Sequence, residues 1–235
     1  MDLKEKLFRL ENNRKRIDGQ VALLKEKPIK IYEEICEKID FLPSKVYLTG
    51  CGDSYYCGLS THLAFEEWAG IPTLPVHALE YSRYRVQYAP LDSTLIAVSK
   101  SGSVTRTIEA SKFANERGIQ TVGITHNQDS PLSNEIDILV NMQFDEVTEG
   151  GGAGESLAYM ASMLVQYCLA LRFGEISGAL GSDDVHEVIH GLQNLDSDIK
   201  NTIRVGHEVM DGVVQRIDEN AQITVIGAGP NYGTA

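Results

Sequence analysis

The sequence predicts an α/β protein: a three-layer α/β/α sandwich around a mostly parallel sheet, preceded by N-terminal helices. Three observations carry that prediction. Short apolar runs suited to buried strands recur at 46–49, 94–98, 121–124 and 136–140. Stretches of helical periodicity separate them, at a spacing that fits strand–helix–strand units. Two of the runs end in clusters of glycine and hydroxyl residues, Gly50-Cys51-Gly52-Asp53-Ser54 and Ser99-Lys100-Ser101-Gly102-Ser103. Open α/β sheets bind ligands at such carboxyl-end junctions.

Each element follows in order. Residues 1–40 read as helical, with Leu3, Leu7 and Leu10 recurring among charges. Pro28 divides this stretch, and the second helix is expected over 29–39. The 46–49 strand leads through Gly50-x-Gly52 into a helix reaching Trp68, closed by Gly70-Ile71-Pro72. An apolar run at 74–76 and a short helix at 79–85 precede the 94–98 strand. A helix over 105–117 ends at Gly118, and strands at 121–124 and 136–140 follow. Beyond the glycine-rich Glu149-Gly150-Gly151-Gly152, residues Leu157, Met160, Ala161, Leu164, Val165, Cys168 and Leu171 fall at i, i+3, i+4, i+7 spacing. They predict one long helix with a wide apolar face, a surface suited to a homodimer contact. Residues 174–181 read as a connector, and 183–217 as further helix broken near Asn194 or Gly206.

The last stretch repeats an earlier pattern. Ile223-Thr224-Val225-Ile226-Gly227-Ala228-Gly229 reads as a strand entering Gly-x-Gly, as Val46-Tyr47-Leu48-Thr49-Gly50-Cys51-Gly52 does. The repetition predicts a duplicated α/β unit whose second copy has only begun. The expected organisation is a helical segment at 1–44, a first unit at 45–180, a helical linker at 181–220 and a truncated second unit at 221–235.

Composition excludes several classes of function. With 21 basic and 33 acidic residues the formal charge is -12, against DNA or anionic lipid as the main partner. The four cysteines, Cys36, Cys51, Cys57 and Cys168, lack paired metal-ligand spacing and are expected as free thiols. No apolar leader opens the chain, no run approaches membrane-spanning length, and a cytoplasmic location is expected.

The most informative segment is 95–107. A strand runs into Ser99, Lys100, Ser101, Gly102, Ser103 and Thr105, and then a helix opens. Free backbone N–H groups, the positive end of a helix, hydroxyl donors and one ammonium converge there, which suits a phosphate ester. The plainer alternative is that the hydroxyls only cap the helix.

Taken together, Cys51-Gly52-Asp53-Ser54 and Ser99-Lys100-Ser101-Gly102 resemble the sugar isomerase (SIS) domain family. The likeness is to the isomerase half of glutamine–fructose-6-phosphate aminotransferases and to fructosamine-6-phosphate deglycases, and it covers roughly residues 45 to 235. It implies the SIS fold, a tandem second domain, and a sugar phosphate held by Ser54, Ser99, Ser101 and the Gly102 backbone, with Cys51, Gly52 and Asp53 in the same site. Lys100 stands where the family commonly has glutamine. Val104 stands where it usually has threonine, which leaves Ser103 or Thr105 to supply that hydroxyl. The activity implied is an aldose–ketose isomerase, deaminase or deglycase working on a hexose 6-phosphate or amino-sugar phosphate, without a bound cofactor or metal. A phosphosugar sensor that regulates a partner is the non-catalytic alternative.

Proton transfer between C1 and C2 of an opened sugar needs a base, and Glu149 and Glu155 are the candidates in this chain. As acids at a helix N-terminus they also have a structural explanation. The resemblance places most catalytic groups in the second domain. No glutaminase unit is expected, because residue 2 is Asp and no amino-terminal cysteine is present. His186-Glu187-Val188-Ile189-His190 matches the H-E-x-x-H pattern of zinc hydrolases, yet no third ligand follows at the extended spacing. Neither Gly-x-Gly completes a dinucleotide fingerprint, and Cys51 lacks an adjacent histidine. Tyr81, Tyr84 and Tyr88 with Arg83 and Arg85 form an aromatic–basic cluster suited to a sugar ring, an oligomer contact or helix packing.

Overall fold

The computed structural model describes residues 15, 17–144, 155–218 and 221–235. The expected helix carrying Leu3, Leu7 and Leu10 lies outside them, as does Glu149. Helix α1 covers 17–26, and Pro28 then opens α2 (Pro28–Lys38) at its first turn, where a missing N–H costs nothing. Strand β1 (Val46–Gly50) leads into α3 (Asp53–Ala69). Gly70 ends that helix in the left-handed conformation at φ 68°, with its amide on the Glu66 carbonyl.

Strand β2 (Thr73–His77) follows, then the helical segment α4, which begins as Ala78–Glu80 and continues through a π turn (Tyr81–Arg85) and a 3-10 turn (Val86–Tyr88). Next come β3 (Thr94–Val98), α5 (Thr105–Glu116), β4 (Gln120–Thr125), a 3-10 turn at Leu132–Glu135, and β5 (Ile138–Asn141). Two long helices, α6 (Glu155–Ser177) and α7 (Ser182–Val214), and a short α8 (Asn231–Thr234) complete the described chain.

All strand pairings are parallel, in the order β2-β1-β3-β4-β5. Central strands buried on both faces need unbroken apolar runs, and β1 and β3 are buried at every position. Alternate side chains serve the two faces. Leu48, Ile96, Val122 and Val140 pack with α2, α3 and α6, whereas Tyr47, Leu95 and Val76 pack with α4 and α5. The three-layer sandwich is therefore present. Pro75 sits in β2, an edge strand, where its missing donor is tolerated.

Four local expectations are corrected. Helix α6 continues past 174 to Ser177; a side chain at Gly174 would stand 2.7 Å from the Trp68 carbonyl, so glycine there lets α6 close on α3 rather than marking a helix end. Helix α7 is unbroken over 33 residues, about 50 Å. At Asn194 the side-chain amide donates to the His190 carbonyl one turn back, so this residue does not end the helix. The 223–226 strand does not form. Residues 221–228 have no regular structure, and Ile223 and Ile226 are 73% and 89% exposed, because no neighbouring strand supplies a ladder. Finally, Ser156–Ser177 is long and apolar enough to cross a membrane, but 72% of the stretch is buried inside the molecule, so its apolar surface serves the core. The face expected to meet a second copy is spent on α3 and the sheet.

Candidate functional site

Strand order places the site. β1 and β3 are neighbours, yet the chain leaves β1 for α3 on one face and β3 for α5 on the other. A crevice opens where the connections diverge, at the carboxyl ends of these two strands. Both glycine–hydroxyl loops meet there.

The first loop is built around close backbone approach. A Cβ on Gly50 would lie 2.6 Å from Ser54 Cβ and 3.0 Å from the Val98 carbonyl, so only glycine fits between the strand ends. Gly52 has φ 57° and caps α3 without a side-chain acceptor, leaving the first amides of that helix to the crevice. Asp53 is exposed, and Ser54 and Cys51 are half-buried at the mouth. The buried Thr107 hydroxyl points to Cys51 Sγ at 4.0 Å and ties the first turn of α5 to this loop.

The second loop brings together most of the remaining predicted residues. Ser99 is 1% exposed, and its hydroxyl is enclosed without a hydrogen-bond partner. Ser101 and Ser103 are exposed, and their hydroxyls meet at 2.7 Å. Gly102 takes φ 64° and is buried. Val104 caps α5 with no side-chain hydrogen bond, and Thr105 is the first helical residue. The hydroxyls therefore do not cap α5, contrary to the plainer sequence alternative. Lys100 Nζ lies over the Phe144 ring, 5.9 Å from its centroid, and His126 stacks on the same ring at 4.4 Å. Two helix N-termini without side-chain caps and the serines at 54, 99, 101 and 103 thus border one crevice.

Sequence reasoning missed the end of β4 and the turn that follows it. Thr125 and Ser130 stand directly behind the second loop, and hydroxyl residues at the carboxyl end of a neighbouring strand were the available signal. A cavity of about 800 Å³ opens beside Asp53, walled by Tyr56, Tyr159, Met160, Met163 and Tyr232. Residues 99–105 do not line it.

Other candidates lie elsewhere. Glu155 opens α6, and its side chain is outside the described residues. His186, Glu187 and His190 on α7 line a separate groove of about 690 Å³ with Tyr32, Cys36 and Glu175. There His186 Nδ1 contacts the Ser182 carbonyl at 2.7 Å and His190 pairs with Asn194. Among the described residues no three His, Cys, Asp or Glu side chains cluster as metal ligands.

The tyrosine–arginine cluster is divided by the fold. Tyr81 is buried edge-on to Tyr47, and burial pushes its phenol up. Arg83 is held by Glu109. Tyr84, Arg85 and Tyr88 instead share a surface hollow with Lys45, which precedes β1, so they stand near the amino ends of the strands, away from the crevice. Cys57 is buried under Gln166, which donates to its sulfur at 3.0 Å; burial raises its pKa far above the ordinary thiol value and leaves it inert.

A family model described as "SIS domain" matches residues 43–172 of this chain. A glutamine–fructose-6-phosphate aminotransferase of Gloeobacter violaceus is 28% identical over 194 residues, covering 81% of this chain and 31% of that protein. The Clostridium tetani enzyme of the same name is 26% identical over 208 residues, covering 88% and 33%. The chain thus spans about a third of the length of these relatives. Among solved structures, the C-terminal domain of the glucosamine-fructose-6-phosphate aminotransferase from Francisella tularensis superposes with a TM-score of 0.77 at 16% identity, over 96% of this chain and 63% of that one.

Proposed function

Because the chain belongs to the SIS domain family, we propose that it binds a sugar phosphate in the crevice between β1 and β3. The carrying observation is Ser99: a hydroxyl that is enclosed, unpartnered and set between two helix N-termini that no side chain caps. A buried hydroxyl left unsatisfied costs about 1–3 kcal/mol, and a phosphate oxygen would remove that cost. In this reading Ser54, Ser99, Ser101 and the helix amides hold the phosphate, Lys100 supplies charge, and Ser103, already beside Ser101, replaces the hydroxyl absent at Val104.

The activity proposed is an aldose–ketose isomerization, deamination or deglycation of a hexose 6-phosphate or amino-sugar phosphate in the cytoplasm. This unit would grip the phosphate, while a second SIS unit or a neighbouring subunit would provide the base and the group that polarises the carbonyl. Exposed Val205, Val209, Met210, Val213 and Val214 on α7 support such a partner, a homodimer included.

The test is a thermal-shift panel of fructose 6-phosphate, glucosamine 6-phosphate and a fructosamine 6-phosphate, each against its unphosphorylated sugar. A ligand at 100 times its Kd stabilises by about 2.7 kcal/mol, or about 5–10 °C for a chain of this size. Stabilisation by the esters alone supports the reading, and turnover of the best ester separates an enzyme from a sensor. Equal shifts with and without the phosphate group would sink it.

A further inference from the structure

We infer that Thr125, the last residue of β4, and Ser130, on the turn that follows, are positioning residues that aim the amides of the phosphate loop into the crevice. The inference rests on the phosphosugar reading and names the device that shapes its loop.

The argument follows the carbonyls. The Lys100 carbonyl accepts from Thr125 Oγ1 and from the His126 amide, each at 3.0 Å. The Gly102 carbonyl accepts from the Leu132 amide at 2.9 Å. A trans, planar peptide points its N–H opposite to its carbonyl. Holding these two oxygens toward β4 therefore turns the amides of Ser101 and Ser103 the other way, toward β1, which flanks β3 on its far side. That is the crevice side, where the Ser103 amide meets Ser101 Oγ at 3.2 Å.

Ser130 sets the depth. It is 2% exposed, and its Oγ would stand 2.0 Å from a Cβ on Gly102, so the turn presses directly on that α-carbon. Ser130 is itself fixed, since its amide donates to Ser133 Oγ at 2.9 Å. Thr125 is buried and doubly engaged: it accepts from the Asn127 amide at 3.2 Å while donating to Lys100. Nothing about these residues requires contact with the ligand; they act through the peptide planes of 100–103.

The experiment is calorimetric titration of the full chain with fructose 6-phosphate and with inorganic phosphate, alongside ligand-free melting. Thr125→Val removes the hydroxyl at nearly constant shape and should weaken both ligands by at least about tenfold, the size of one hydrogen bond to a charged group. Thr125→Ser restores the donor and should recover the affinity, which a packing role for the methyl group would not predict. If Thr125→Val does not fold, Thr125→Cys, with its weak donor, carries the same expectation. A Thr125 variant lacking the hydroxyl that binds both ligands as wild type does overturns the inference alone. Wild-type protein that binds neither ligand overturns the phosphosugar reading beneath it.

Discussion

Replacing Gly102 with alanine tests the loop geometry most directly. Two costs combine at this position. An L-residue held at φ 64° loses about 1–2 kcal/mol to the contact between its Cβ and backbone. The new Cβ would also stand 2.0 Å from Ser130 Oγ and 2.3 Å from Ser130 Cβ, and overpacking of this kind costs about 1–3 kcal/mol. The expected loss is about 2–5 kcal/mol if the loop keeps its shape. If the loop shifts to escape, less stability is lost and the binding geometry goes instead.

Gly118→Ala is the control. Its φ is 78°, but nothing lies within 4 Å of its added Cβ and it is far from the crevice, so it should cost the backbone term alone. Urea melts of the two variants separate the terms, and titration with fructose 6-phosphate reads the site. Gly102→Ala should be the less stable or the weaker binder by at least about tenfold, whereas Gly118→Ala binds normally. Adding Ser130→Gly should relieve the collision, and Ser130→Ala should not, because the alanine keeps the Cβ. A Gly102→Ala protein matching Gly118→Ala in both stability and affinity would refute the idea that Ser130 pins the loop.

Further expectations concern charge and metal. Lys100→Ala with Ser101→Ala should weaken phosphosugar binding by at least tenfold, about 1.4 kcal/mol, measured by titration. His190→Ala, at an exposed position, should leave melting within about 0.5 kcal/mol of wild type and any activity unchanged, with or without added zinc. Burial pushes the Glu109 carboxyl up, but hydrogen bonds from Arg106 and Ser82 and the charges of Arg83 and Arg106 outweigh it and hold the group below its ordinary value of 4.5. A depressed carboxylate stabilises the fold above its unfolded-state pKa and loses that contribution as pH falls through the folded-state value. The stability gap between wild type and Glu109→Gln should therefore be full near pH 7 and shrink below about pH 4.5, as urea melts across that range would show.

What could be read in advance was local. Residues 95–98 are a continuous apolar run after Thr94, and 94–98 forms β3 at those bounds, because a strand covered on both faces favours an unbroken apolar stretch. Pro28 and Gly70 mark helix ends through their own backbone preferences. The two loops of the site were legible for the same reason: each is a handful of contiguous residues at a strand end. Thr125 and Ser130 were not, since their effect on Lys100 and Gly102 passes between segments separated by about 25 residues and exists only once β3 and β4 pair.

The misreadings share one physical origin. Residues 223–226 and 94–98 have similar apolar texture, yet only the second has strands on both sides to bond with. The tyrosines at 81, 84 and 88 look like one cluster along the chain, and the π turn sends one into the core and two to the surface. The helix over Ser156–Ser177 is apolar all round because the core surrounds most of it. By itself the sequence determined the α/β class, the helix and strand bounds near glycine and proline, and the residue types at the two strand-end loops, because these depend on propensity and side-chain type over short spans. Only the tertiary structure decided which apolar runs become strands, which faces stay exposed and which residues hold the Lys100 and Gly102 carbonyls, because hydrogen-bond ladders and close packing require partners distant in sequence.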